Sequence, residues 1–392
     1  MVSGTRAWVA LIGLCLGMCV TNGFARFAYG LMLPAMKAEM GWSYAQAGWL
    51  NTANAAGYIG GAVLTMALIR RVGPAPLFAF GCVTTAAALL ATGLEAALWW
   101  QTLWRAAAGL FGAMAFSTAS ALAAQLFADN ARRNALAIAL LFGFGGGIGV
   151  VLAGAAVPLW LDRMGPQSWP MAWVGIGAVS LACLPLCLWA ARVLKVPVPA
   201  EVPTGETRAR LPLRRMVGLM AGYAAFGLGY FVYFTFLSAW MTEAGAGAGA
   251  IAGTWVMLGL CLCASPFVWR AVFARFASGV PLALVLTGIA AGTGLPVLLP
   301  DLPAVSAAVF GLSVFMAPGA VTAFLRHNLP MESWGAAMSL MTVIFALAQT
   351  AGPWGAGLIG DLAGGLEASL LAAAGVLTLG AMAALSQRAL PR

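Results

Sequence analysis

Charge is what this sequence has least of. Lys, Arg, Asp and Glu make up 8% of its 392 residues, against 62% hydrophobic, where an ordinary soluble domain carries about 25% charged residues. That shortage excludes a soluble globular chain and points to one that crosses a membrane many times. Acids are scarcer still, eleven Asp and Glu in all, beside a single histidine, His327. So few groups leave little from which to build an acid pair or a His/carboxylate metal centre, and no enzyme signature emerges. Cys15 with Cys19, and Cys183 with Cys187, stand at i, i+4 within apolar runs. No His or acid joins either pair, so they read as small packing residues. No metal and no cofactor is expected.

What the sequence does contain is length of apolar chain. Twelve runs, at about 8–35, 44–69, 75–94, 98–127, 135–160, 169–191, 216–240, 250–269, 281–299, 303–325, 335–360 and 367–387, are each long enough to cross a hydrocarbon core of about 30 Å. The first far exceeds a signal-peptide core and is expected to remain. With the N-terminus in the cytoplasm, sixteen Lys and Arg fall in inner loops and tails and two, Lys37 and Arg163, in outer ones. That asymmetry is the positive-inside rule. It accounts for the net charge of +9 as topology rather than a nucleic-acid footprint. The expected placement is a bacterial inner membrane, multi-pass, with both termini cytoplasmic, as a monomer in the lipid bilayer.

Two charges do not fit a loop. Arg26 lies within span 1 and Arg105 within span 4, and no Asp or Glu lies deep in any span. An Arg at a helix centre costs about 2.5–3.5 kcal/mol on insertion scales, and such residues normally face a bundle interior or an aqueous cavity. As an α-helix, span 1 places Asn22, Arg26 and Tyr29 on one face at i, i+4 and i+7. Counted along their helices, both arginines fall on the outer side of the midplane, at a common level. On span 7, Tyr223, Phe226, Tyr230 and Tyr233 form an aromatic stripe, and Gln349 is a polar position in span 11. The candidate solute-binding set is Asn22, Arg26, Tyr29, Arg105, Tyr230, Tyr233 and Gln349. Guanidinium groups forking a carboxylate beside aromatic rings suit an anion with an apolar body.

The chain also repeats itself. Gly23 to Tyr29 aligns with Gly227 to Tyr233 at an offset of 204, Phe142, Gly149 and Gly154 with Phe345, Gly352 and Gly357 at 203, and Trp49 with Trp255 at 206. The segment 192–215, rich in Pro and charge, separates the halves and reads as a linker. The expected domains are a six-helix bundle over 1–191, a cytoplasmic linker over 192–215 and a second six-helix bundle over 216–392. The glycines Gly143, Gly145, Gly146, Gly147, Gly149 and Gly154 lack a P-loop lysine and read as sites of close helix approach.

Two six-span halves, a charged central loop and Arg105-Ala106-Ala107-Ala108-Gly109 in span 4 resemble the major facilitator superfamily. More narrowly, Gly23 to Pro34, Gly48-Trp49 with Ala53-Asn54 and Gly57-Tyr58, Gly227 to Phe236, and Gln349 to Pro353 ending in Gly360-Asp361 are similar to the bacterial YbfB/YjiJ-like group. The resemblance implies an all-α fold whose helices 1, 4, 7 and 10 line a central cavity. There are departures. Arg70-Arg71-Val72-Gly73 stands where the superfamily usually has Asp-Arg-Xaa-Gly, and Val150, not Pro, follows Gly149. The first puts the usual inner charge lock in doubt, and the second weakens a drug-antiporter reading.

The function expected is a secondary active or facilitative transporter for a small organic anion or amphipathic metabolite, working by alternating access. Gly145, Gly149, Gly352 and Pro353 are the expected packing and gating positions, with Arg71 at the inner gate. With no acid at depth, exchange or facilitated diffusion is favoured over proton movement carried by a protonated substrate or a rim acid such as Glu39. A multidrug or metabolite efflux antiporter of the same fold is the alternative. A membrane-embedded enzyme or sensor is a remoter one.

Overall fold

The computed structural model describes residues 4–127, 129–194 and 211–390. Residues 195–210 of the expected linker lie outside the described residues. Twelve helices are long and apolar enough to cross a membrane: α1 (Thr5–Met40), α2 (Tyr44–Val72), α3 (Pro74–Thr92), α4 (Leu98–Ala123), α5 (Arg132–Met164), α6 (Pro166–Val193), α7 (Val217–Glu243), α8 (Ala248–Arg275), α9 (Val280–Leu298), α10 (Pro303–Asn328), α11 (Met331–Ala363) and α12 (Leu366–Leu385). An even number of crossings returns the chain to the face it started from. We call that the terminal face and the other, with the α1–α2 turn, the far face.

Sequence sets the ends of these helices locally. Ser43 and Gln46 form a capping box at the start of α2, satisfying two N–H groups that the helix leaves open. Gly73, at φ 85°, ends α2 in a backbone conformation that a side chain would strain. Pro74 then opens α3 at a position that needs no N–H. Irregular winding interrupts α10 and α1 well inside their lengths. The α10 helix breaks at Phe315–Met316 ahead of Pro318. In α1, Cys19–Phe27 is wound as a π-helix.

The two halves carry corresponding contacts. A Cβ on Gly23 would meet Gly149 on α5, and a Cβ on Gly352 would collide with the Leu228 carbonyl on α7. Thus α1 packs on α5 as α7 packs on α11: Gly149 and Gly352 are repeat equivalents, and their contacts Gly23 and Leu228 differ from the repeat register by one residue. Trp255 is fully buried and bonds Ser238, whereas Trp49 is 41% exposed, so that third pair shares register but not environment.

The apolar core is divided unequally. One continuous cluster joins residues of both bundles, from Phe24 and Leu31 to Phe234, Trp255 and Phe310. A second, separate cluster fills only the terminal half of the first bundle, among Leu11, Phe78, Leu122, Leu141 and Leu184. The first cluster is therefore the core that the bundles share, whereas the second belongs to the first bundle alone.

Candidate functional site

The π-wound stretch of α1 decides where its polar side chains point. An i→i+5 winding carries about one residue more per turn than an α-helix, so a face counted at i, i+4 and i+7 does not persist through it. Arg26 and Tyr29 accordingly diverge. Arg26 reaches across to the second bundle, while the Tyr29 hydroxyl turns back into the first and donates to the Ala47 carbonyl of α2 at 2.8 Å. The altered winding is accompanied by outside bonding of the Ala25 carbonyl, which accepts from Arg105 Nη1 at 2.7 Å and from Asn54 Nδ2 at 3.4 Å.

Arg26 is the centre of the only buried polar cluster that joins α1, α7 and α11 among the described residues. Its Nη2 donates to the Tyr230 hydroxyl at 2.6 Å and to Gln349 Oε1, and the Tyr230 hydroxyl donates to the same oxygen at 3.0 Å. Its guanidinium also lies over the Tyr58 ring, 4.4 Å from the centroid, and near that of Phe231 at 5.1 Å. Tyr58, Tyr230 and Gln349 each stand near the middle of their own helix, so the cluster lies about halfway across the membrane. Arg26 and Tyr230 are also the residues that the 204-residue repeat aligns. A contact between repeat equivalents is what a position on the pseudo-twofold axis between two bundles produces.

Two donors of this cluster are buried without an acceptor, Arg26 Nε and Gln349 Nε2. No carboxylate bonds the guanidinium; the groups around it are a hydroxyl, an amide and aromatic faces. Burying a charge or an amide in this state is expensive unless an acceptor arrives. Asn22, one turn earlier, is buried and bonds no other side chain among the described residues. Below Tyr230, the rings of Tyr223, Phe226 and Phe345 are stacked with centroid separations from 4.6 Å for Phe226–Tyr230 to 5.7 Å for Tyr230–Phe345.

The structure does not bring the other expected residues into this cluster. Arg105 is fully buried inside the first bundle, its Nη1 on the Ala25 carbonyl and its Nη2 on Asn51 Oδ1 at 3.0 Å. The Tyr29 and Trp173 rings enclose it, at 5.0 and 5.6 Å. Its Nε is also unpartnered, but within one bundle rather than between two. Tyr233, the repeat equivalent of Tyr29, likewise turns into its own bundle, pairing with the Ser306 hydroxyl at 2.7 Å and stacking on Phe310.

A family model described as an uncharacterised MFS-type transporter YbfB matches residues 18–385. The chain belongs to that family. Solved structures of the major facilitator superfamily share its fold: a bacterial homologue of the human lysosomal transporter Spinster, in an inward-facing and unoccupied conformation, at 17% identity over the whole of both chains with a TM-score of 0.70; a D-xylose–proton symporter, 15% identical over 98% of each chain at 0.75; and the D323A mutant of the nucleoside transporter NupG, 12% identical over 96% of this chain and 99% of that one at 0.71. No curated protein matches the sequence. It is a multi-pass membrane protein with a transporter's architecture.

In a YbfB-type carrier the contacts between bundles describe the conformation. Among the described residues, every side-chain hydrogen bond crossing between the bundles lies at the Arg26 level or toward the far face. Asn51 donates to Thr235 at 2.7 Å, and Thr52 to the Thr350 carbonyl at 2.7 Å. At the far face, the Asp361 carboxylate accepts from the Tyr44 and Ala45 amides at 2.7 and 2.9 Å, capping α2 from the other bundle, and the Tyr44 hydroxyl bonds Glu243. The helices there touch through glycine, since a Cβ on Gly48 would strike the Pro353 carbonyl and one on Gly357 the Tyr44 carbonyl. The far face is closed.

The gating positions separate along the same lines. Gly145 and Gly149 pack on α1 and Gly352 on α7, each inside its own bundle, whereas Gly147 packs across the interface on Gly259 and Cys263 of α8. Pro353 meets the other bundle through its carbonyl. Arg71 is exposed at the terminal-face end of α2. Sequence reasoning missed Asp361, Tyr44, Gly48 and Gly357 as closure residues. In the sequence Asp361 stands out only through the family resemblance, and nothing local marks it as a cap for another helix.

Proposed function

We propose that this protein carries a small organic anion or amphipathic metabolite across a bacterial inner membrane by alternating access. Both termini are cytoplasmic in this reading, so the closed far face is the outward one. The observation that supports it is the Arg26 cluster: a guanidinium between the bundles, bonded to Tyr230 and Gln349, with buried donors that lack acceptors. An anion supplies acceptors to them and replaces part of what each bundle gives the other. Binding and bundle movement are thereby linked, because a solute shifts conformation only through different contacts in the two states.

The glycine contacts of α5 on α8 and the α2–α11 closure are the surfaces that rearrange, by small sliding of packed helices. Arg105 in this account holds α1, α2 and α4 together rather than touching solute. With neither Asp, Glu nor His among the buried side chains described, we assign exchange or facilitated diffusion in preference to coupling by an embedded proton carrier. The chain acts as a monomer in this reading, and its partners are the solute and the bilayer.

The aromatic stack below Tyr230 supports one second reading, export of amphipathic drug-like compounds. The two separate by charge. Purified protein screened against metabolites for thermal stabilisation is expected to select anions, since a ligand that prefers the folded state raises its apparent stability. Stabilisation should be lost with Arg26→Ala, and uptake of the selected compounds into proteoliposomes should fall with it. Selection of cations, undiminished in Arg26→Ala, would support the drug-export reading instead.

A further inference from the structure

The count of available charges and the shape of the wall beside them narrow the solute class. We infer that the cargo is a monocarboxylate with a flat apolar body; this rests on the anion-carrier reading above. Of the two arginines within the membrane, only Arg26 stands between the bundles. Arg105 is fully buried and has two of its nitrogens committed to Ala25 and Asn51. One guanidinium balances one negative charge. A second carboxylate, or a doubly charged phosphate, placed there would be buried without a counter-charge, which is costly.

The two orphan donors define the carboxylate's seat. Arg26 Nε and Gln349 Nε2 belong to side chains already joined by the Arg26–Gln349 hydrogen bond, and neither has an acceptor. A carboxylate has two oxygens and receives one N–H on each. A neutral amide or ester offers one uncharged carbonyl oxygen that both donors must share, and hydrogen bonds to it are weaker than those to a carboxylate. Tyr230 ties this seat to the rings, since its hydroxyl bonds Arg26 and Gln349 while its ring stacks with Phe226 at 4.6 Å and an interplanar angle of 23°. Phe345 continues the wall, 5.3 Å from Phe226 and inclined to it by 18°. Near-parallel rings next to a guanidinium favour a planar body that slides against them, because offset stacking adds to simple burial.

The test is thermal stabilisation of the purified full-length protein by a matched set of probes: benzoate, benzamide of the same shape without charge, isophthalate with a second carboxylate, benzylamine of opposite charge, and acetate with no ring. Benzoate is expected to stabilise at a concentration at least about tenfold below each of the others, the discrimination that one charge-assisted hydrogen bond provides. Phe345→Leu leaves Arg26 untouched; it should weaken benzoate severalfold and leave acetate unchanged. Arg26→Lys keeps the charge, loses the fork and should reduce the preference for benzoate over benzamide about tenfold.

Isophthalate equal to or better than benzoate would overturn the single-charge class while leaving an anion carrier standing. Acetate equal to benzoate, or Phe345→Leu without effect, would overturn the flat body. No stabilisation by any probe would also overturn this solute class. Benzylamine or benzamide equal to benzoate would remove the anion-carrier reading itself.

Discussion

Arg26 and Arg105 are the same residue at neighbouring levels of the same bundle, yet their surroundings assign them different work. Arg105 is fully enclosed and spends its donors on α1 and α2 of its own bundle. Arg26 spends its donors on α7 and α11 of the other bundle and keeps 6% of its surface exposed. An arginine whose partners all move with it is part of a rigid body. In the proposed carrier, one whose partners sit across the moving interface exchanges them when that interface opens, and a solute replaces them. Depth in the membrane is common to both, so depth does not distinguish them; the location of the partners does.

The comparison can be broken most severely at Arg105. Arg105→Ala leaves Asn51 Oδ1 without its donor and the Ala25 carbonyl with only the 3.4 Å bond from Asn54, and it opens a cavity; a buried polar group left unsatisfied costs about 1–3 kcal/mol, to which the cavity adds. The expected result is a large fall in yield and in unfolding temperature in detergent, whereas Arg26→Ala should unfold near the wild-type temperature and fail to transport. Next in size is the closed far face. Gly357→Val drives side-chain atoms toward the Tyr44 carbonyl, and overpacking of this kind costs about 1–3 kcal/mol. Thiol labelling of a cysteine placed at Thr52 should then rise by about tenfold or more, with transport depressed.

Asp361→Asn is a gentler probe of the same face. It keeps an acceptor for the Tyr44 and Ala45 amides but removes the negative charge from the start of α2, an effect worth about 0.3–1 kcal/mol at a helix terminus. Labelling at position 52 should rise only about two- to fivefold. Smallest of all is Arg71→Ala. Its side chain is exposed, and changes at such positions usually stay within about 0.5 kcal/mol. Transport close to wild type is expected; a loss comparable with Arg26→Ala would restore Arg71 as a gate.

Composition and loop charge were enough to read the twelve crossings and the two-bundle plan, because bilayer thickness and backbone hydrogen bonding leave a chain few alternatives. Arg26 was legible for the same reason: the cost of placing it there demands a use. The repeat offset even held the Arg26–Tyr230 contact, since equivalent residues meet on the axis between the bundles. What could not be read was direction. The π-winding of Cys19–Phe27 separates Tyr29 from Arg26, and no residue in that stretch announces it. Arg105 gave the same signal as Arg26 because cost depends on depth, while role depends on partners 50 or more residues away in sequence. The glycines of α5 were visible as close-approach sites, but which ones face α1 and which face α8 depends on how the helix is rotated in place.

The most direct test sets the two arginines side by side with the conservative replacement in each. Unfolding temperatures of Arg26→Lys and Arg105→Lys are measured with and without a compound that stabilises the wild-type protein. Arg26→Lys should match the wild-type temperature without compound and lose most of the stabilisation by it, while Arg105→Lys should unfold at a lower temperature and keep that stabilisation. The reverse pattern, with Arg105 governing the response to the compound and Arg26 governing stability alone, would contradict the assignment of solute binding to the bundle interface.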